Sequence, residues 1–372
     1  MQNVCSVAVC AVAVMCFAVT VPCRSMASEY VYEAPKQLDD GWKVSTLDAE
    51  GMNTDIITRL TNQVINGKLK GIHSILIVKN GVIVHEVYFG TYRRESLHTM
   101  YSITKSVTSG LIGIAIDNGY IGGVDKTIGE LLPEYAGAIK DDRLKDVTVE
   151  QLLTMTCGLD WDEWSYPYCD PRNSEYPQVR FEDWVQHVLE LPVRDEPGTR
   201  WVYNTGGVHV LSAILKNRTG LYANQFAEKY LFEPLGITRW SWNTDPKGYS
   251  ATGGTRGGLK LRTRDVAKFG MLYMREGKWN GERLISEEWV RKSTAKRVTA
   301  VRNSDYGYLW WLTSYTIKNR QIDMVSGQGY GGQLLALVPD LDLMYVFTSW
   351  GRAEDADTFG PMVMIINSAL TE

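Results

Sequence analysis

The apolar residues change period along the chain, and this change constrains the fold more than any other feature of the sequence. Residues 74–78 and 82–89 are short apolar runs joined by Asn80-Gly81. An Asn-Gly pair between such runs predicts a tight hairpin, because both central residues of the turn need positive φ. Residues 306–312, 320–325, 333–338 and 343–348 read as further strands, and 360–370 as a closing helix. Residues 52–66 read as an amphipathic helix with Ile56, Ile57, Leu60 and Val64 on one stripe. From about Ser102 to Trp289 the pattern is helical with loops. Strands at both ends with helices between predict an α/β plus all-α fold. One antiparallel sheet is built from both chain ends, with flanking helices and an inserted helical domain. The sheet domain takes residues 28–100 and 300–372, and the mainly helical domain takes 101–299.

Composition excludes several classes. Of 372 residues, 44% are hydrophobic and 22% charged, which is the profile of a globular chain and not a disordered one. A net charge of −4 offers no footprint for nucleic acid. Residues 4–21 are almost wholly apolar, and Ser25-Met26-Ala27 places small residues two apart after Arg24. Residues 1–27 therefore read as a secretory signal cut after Ala27, which implies an exported protein, periplasmic or secreted. No later segment is long and apolar enough to span a membrane. Cys5, Cys10, Cys16 and Cys23 leave with the signal, and Cys157 and Cys169 remain.

Several common catalytic signatures are missing. There is no Gly-x-Ser-x-Gly elbow and no His-Glu-x-x-His. The histidines at 73, 85, 98, 187 and 209 have no metal-ligand spacing, so no metal and no cofactor is expected. His85 lies mid-strand and reads as structural. Gly327-Gln328-Gly329-Tyr330-Gly331-Gly332 matches a dinucleotide fingerprint, but it runs into a strand where such a site needs a helix.

Ser-x-x-Lys occurs twice. Chance supplies about one such pair in a chain of this composition, so context decides. Ser293 to Lys296 sits among Arg291, Lys292 and Arg297, where no lysine loses its proton easily. Ser102 to Lys105 opens a run that is apolar nearly all round, hence a buried helix. Ser102 then stands at the helix N-terminus with Lys105 one turn on, on the same face. A serine hydroxyl is a poor nucleophile until a base takes its proton. Burial and the positive helix end lower a lysine pKa toward that task, and the same end favours an oxyanion. The bland alternative is a helix cap followed by a solvated charge.

Five stretches carry a family resemblance over about residues 40–370. They are 101–106 (Tyr-Ser-Ile-Thr-Lys-Ser), 152–160, 197–206 (from Pro-Gly-Thr to Asn-Thr-Gly), 232–237 (Phe-Glu-Pro-Leu-Gly-Ile) and 331–343. The chain resembles the serine β-lactamase-related superfamily, in particular class C β-lactamase-like hydrolases. That group includes D-alanyl-D-alanine carboxypeptidases, EstB-type esterases and 6-aminohexanoate-dimer hydrolases. The resemblance implies a β-lactamase/transpeptidase-like fold with Ser102 as acylated nucleophile and Lys105 as its proton partner. Tyr203 matches the tyrosine of the second motif, Tyr-x-Asn, with Asn204 as a substrate-binding candidate and Thr205 where Asn is usual. The third motif falls on Gly329-Tyr330-Gly331 and lacks its cation. Tyr330, Gly331 and Gly332 are then substrate-binding candidates, and the Gly332 N–H joins that of Ser102 in an oxyanion hole. Trp164, with Trp161, Tyr166 and Tyr168, is a candidate wall of the acyl pocket.

The resemblance implies a serine hydrolase whose partner is a small-molecule ester or amide. The alternatives are β-lactamase or D-alanyl-D-alanine carboxypeptidase activity, or a non-catalytic binding or sensor role on the same fold. Cys157 and Cys169 flank the aromatic loop that by resemblance borders the site. An oxidising compartment would favour a disulfide between them. The sequence leaves the oligomeric state open.

Overall fold

The computed structural model describes residues 29–370 except 255–256, 302–303 and 352–358; the segment read as an export signal lies outside the described residues. Strands β1 (Ile72–Lys79) and β2 (Val82–Tyr88) form the hairpin. Its turn residues Asn80 and Gly81 both have positive φ, 52° and 83°. The far end of the chain supplies β3 (Val298–Val301), β4 (Ser304–Tyr306), β5 (Trp311–Ile317), β6 (Arg320–Gly329), β7 (Gln333–Val338) and β8 (Leu343–Ser349). Together they make an eight-stranded antiparallel sheet in the order β2-β1-β8-β7-β6-β5-β4-β3. The two chain ends meet where Ile75 faces Phe347 and Ile77 faces Tyr345.

Both faces of the sheet are covered, which is why β1, β7 and β8 read as nearly continuous apolar runs. On one face Ile75, Ile77, Tyr345 and Phe347 pack with Ile57 of α1 (Thr54–Ile65) and with Ile365 and Ile366 of α5 (Phe359–Ala369). On the other face Leu76, Leu335 and Val346 join the core of the helical region. That core contains α2 (Ile103–Asp117), α3 (Thr205–Thr219) and α4 (Thr263–Met274). Helix α4 lies close on the sheet: a Cβ on Gly270 would stand 2.5 Å from Met344 Sδ.

Three expectations need correction. Residues 306–312 are not one strand. The chain turns over Gly307–Trp310, with Leu309 at φ 61°, and Trp310 leaves the sheet to pack on Phe269 and Tyr273. Strand β6 runs past residue 325 to Gly329, because Gly327 and Gly329 pair through backbone with Leu335 and Gln333. Their missing side chains hide that pairing from any apolar period. Cys157 and Cys169 are both free. Cys157 is buried beside Asn204, whose Nδ2 donates to Sγ at 3.6 Å, whereas Cys169 is exposed. The loop between them is held from inside: Asn173 Nδ2 donates to the carbonyls of Glu163 (3.0 Å) and Tyr166 (2.8 Å).

Candidate active site

Helix α2 is buried along most of its length, and Ser102 is its N-cap residue. Tyr101, at φ 48°, turns the chain into the helix. Lys105 follows one turn later and is only 1% exposed. Its Nζ donates to Ser102 Oγ at 3.0 Å and to the Thr252 carbonyl at 3.1 Å. Burial lowers the Lys105 pKa to about 8, against the opposing pull of Glu163 and Glu175. The neighbouring Gly253, at φ 129°, lies against this pair.

Tyr203 precedes α3 and packs over the lysine, its ring centroid 5.1 Å from Nζ. Burial and the nearby Glu163 hold its hydroxyl well above the usual phenol range, and a hydrogen bond with Ser102 works the other way. His209, on α3, contacts Thr252 Oγ1 through Nδ1 at 3.1 Å. Burial and then the Lys105 charge push its pKa down to about 3, so it stays neutral.

Ser102 opens on a cleft of about 510 Å³ whose lining includes Tyr203, Glu163, Trp164, Trp311 and Tyr330. Trp164 stacks on Tyr203 with centroids 5.1 Å apart, and on Trp311 at 6.3 Å. Tyr168 meets Tyr330 edge-on at 5.5 Å, so the aromatic loop reaches the opposite bank of the cleft. Strand β6 supplies that bank. Its pairing with β5 stops at Ser326, so beyond that point its edge has no β5 neighbour, and Gln328, Gly329 and Tyr330 line the cleft.

Ser102, Lys105, Tyr203, Trp164 and Tyr330 thus come together in one place. Four other candidates do not reach the cleft. Asn204 is 2% exposed and is spent as the cap of α3, its Oδ1 accepting from Gly207 N–H at 2.8 Å. Gly331 and Gly332 form the turn after β6. The Gly332 N–H donates to the Gly329 carbonyl at 3.2 Å, so it is committed to the turn and not to an oxyanion. Trp161 is buried in the core, where its Nε1 donates to Glu163. The second Ser-x-x-Lys is elsewhere: Ser293 Oγ donates to the Val290 carbonyl at 3.1 Å, and Lys296 pairs with Asp305 at 3.0 Å.

Glu163, Thr252, Gly253 and His209 were not singled out from the sequence. Glu163 had one usable signal, an acid inside a run of aromatics. The others gain their meaning only from what faces them. Among the described residues no group of three or more His, Cys, Asp or Glu could hold a metal ion. No described helix is long and apolar enough to cross a membrane.

A buried Ser–Lys pair at a helix N-terminus, facing a tyrosine beneath the edge of an antiparallel sheet, defines a serine-hydrolase type of site. The chain belongs to the beta-lactamase family, whose model matches residues 61–360. It is 27% identical over 307 residues to the 6-aminohexanoate-dimer hydrolase of Paenarthrobacter ureafaciens, covering 77% of this chain and 74% of that one. Among solved structures, the hydrolase EstCE1 matches with a TM-score of 0.69 at 16% identity, covering 87% of this chain and 100% of the other. A penicillin binding protein from Bacillus halodurans matches with a TM-score of 0.61 at 19% identity, covering 82% and 98%. At those identities the structures show a shared fold.

Proposed function

We propose that the chain hydrolyses small, uncharged esters or amides through an acyl-enzyme on Ser102. The observation that carries this reading is the buried Lys105 Nζ at 3.0 Å from Ser102 Oγ. Lysine as free base takes the hydroxyl proton while Oγ attacks the carbonyl carbon. The Ser102 N–H, at the positive end of α2, faces the developing oxyanion, and the open edge of β6 at Gln328–Tyr330 is the second source of donors. The tetrahedral adduct collapses and expels an alcohol or amine, which takes its proton from the Lys105–Tyr203 pair. Water, activated by the same pair, then attacks the acyl carbonyl and releases the acid.

Two observations favour uncharged substrates. No Lys, Arg or His is among the described residues lining the cleft, so a substrate carboxylate has no cationic partner there. The Trp164, Tyr203 and Trp311 rings instead offer a stacked apolar wall. The name of one relative, 6-aminohexanoate-dimer hydrolase, fits amide cleavage, and that of another, the lovastatin esterase of Penicillium rubens, fits ester cleavage. Residues 1–27 are proposed to be a cleaved export signal, which N-terminal sequencing of the mature protein tests.

The deciding experiment treats the protein with a fluorophosphonate and locates the adduct by mass spectrometry, beside a panel of p-nitrophenyl esters, small amides and nitrocefin. The expected result is an adduct on Ser102, with ester or amide turnover well above that of nitrocefin. An unlabelled Ser102 with no turnover would overturn the hydrolase reading, and nitrocefin as best substrate would overturn the substrate class.

A further inference from the structure

Glu163 is 3% exposed, yet it belongs to the wall of the cleft. Its carboxylate accepts four hydrogen bonds, two on each oxygen. Oε1 takes Thr205 Oγ1 at 2.6 Å and Tyr168 OH at 2.8 Å. Oε2 takes Thr205 N–H at 2.8 Å and Trp161 Nε1 at 2.9 Å. These donors come from two elements: the aromatic loop, and the start of α3 immediately after Tyr203 and Asn204. We infer that Glu163 is a positioning residue that clamps the Tyr203-Asn204-Thr205 segment to the loop carrying Trp164 and Tyr168, and places its carboxylate on the cleft wall that it shares with Ser102. This deepens the hydrolase reading and rests on it.

Physical chemistry separates the clamp from a mere loop tie. Burying a carboxylate is costly unless its lone pairs are filled, and here all four positions are used. A glutamine has one acceptor oxygen and would turn an N–H₂ toward two donors. The clamp also accounts for Thr205 where Asn is usual in the second motif. The hydroxyl of Thr205 points back to Glu163 and not into the cleft.

The charge has a consequence that packing lacks. The groups facing Lys105 are Ser102 on its own turn, the Thr252 carbonyl, Tyr203 and His209 from α3 and its lead-in, and Glu163 and Glu175 from the loop side. Of these the two carboxylates favour the ammonium. Removing the charge of Glu163 makes Lys105 release its proton more readily.

The test uses the full chain with p-nitrophenyl acetate and compares Glu163→Gln, Thr205→Val and Thr205→Ser. Glu163→Gln is expected to lower kcat about 10- to 100-fold with little change in KM, as a misplaced proton-transfer group does. It is also expected to move the acid limb of the kcat/KM profile down by about 1 pH unit. Thr205→Val should lower kcat about 10-fold with the limb in place, and Thr205→Ser should restore it. A limb that stays put in a folded Glu163→Gln protein overturns the electrostatic half, and wild-type kcat in Thr205→Val overturns the clamp. Should Glu163→Gln not fold, the Thr205 pair decides the clamp, and the electrostatic half, then inseparable from packing, falls. Fluorophosphonate labelling of wild-type Ser102 keeps the two levels apart. No label and no turnover sink the hydrolase reading with this one, whereas a labelled, active wild type beside indifferent variants sinks only this one.

Discussion

A Cβ placed on Gly253 would stand 2.6 Å from Lys105 Nζ, inside the closest approach that real side chains make. The same atom would lie 3.1 Å from Ser102 Oγ. The Ser–Lys pair is therefore held between its own helix and the bare backbone of a loop at Gly253. That backbone also provides the Thr252 carbonyl that orients the ammonium.

Gly253→Ala should cost activity out of proportion to its size. The methyl must displace the lysine, and φ of 129° is strained for any residue with a side chain. We expect kcat/KM to fall at least about 100-fold and stability to drop by about 1–3 kcal/mol. Ester kinetics and a urea titration on the same preparation check both; near-wild-type kinetics would contradict the packing described.

Ser102→Ala should remove turnover and fluorophosphonate labelling at a small cost in stability. Ser102 is the N-cap residue of α2, but its side chain makes no cap hydrogen bond. The usual loss of about 1 kcal/mol for a missing cap therefore does not apply; what is lost is the hydrogen bond that Lys105 Nζ donates to Oγ, about 1 kcal/mol. Ser293→Ala should leave kinetics as they are. A reversed pair of results would move the nucleophile to the second motif.

The pH profile follows from Lys105. Its pKa is lowered by burial to about 8, so the free base gains population as pH rises through neutrality. The rate should climb and level off above about pH 8–9, with an apparent pKa that belongs to the Lys105–Tyr203 pair. Tyr203 is held above the usual phenol range and stays protonated through that window. Rates measured from pH 5 to 10 check this, and a flat profile removes the lysine as base. Tyr203→Phe should lower kcat about 100-fold or more, the usual contribution of a proton-transfer group.

The two described cysteines should behave differently. Cys169 is exposed and should react at once with a thiol reagent in the folded protein. Cys157 is buried, and burial pushes its thiol up to about 11, so it should react only on unfolding. Peptide mapping after native and denatured labelling checks this. A bridged pair, blind to reagent until reduced, would contradict the geometry.

Much of the fold is legible in the chain itself. Asn80-Gly81 fixed a hairpin because only residues tolerating positive φ make that turn, and the all-apolar run after Lys105 fixed a buried helix. Ser102 and Lys105 were legible for the same reason: i and i+3 on a helix share a face whatever surrounds it. Local periodicity and short-range geometry carry such information in the residues themselves. The tertiary structure alone decided the rest. Asn204 and Thr205 are neighbours, yet one caps α3 and the other binds Glu163, a choice set by a loop about forty residues away in sequence. Gly332 and Gln328 both sat near the third motif, and strand register decided which lines the cleft. Gly253 and Glu163 show the limit most clearly. A glycine is silent in any pattern, and a glutamate in a loop reads as solvated, until distant segments fold against them. Contacts across such separations depend on which surfaces meet, and the chain order does not state that.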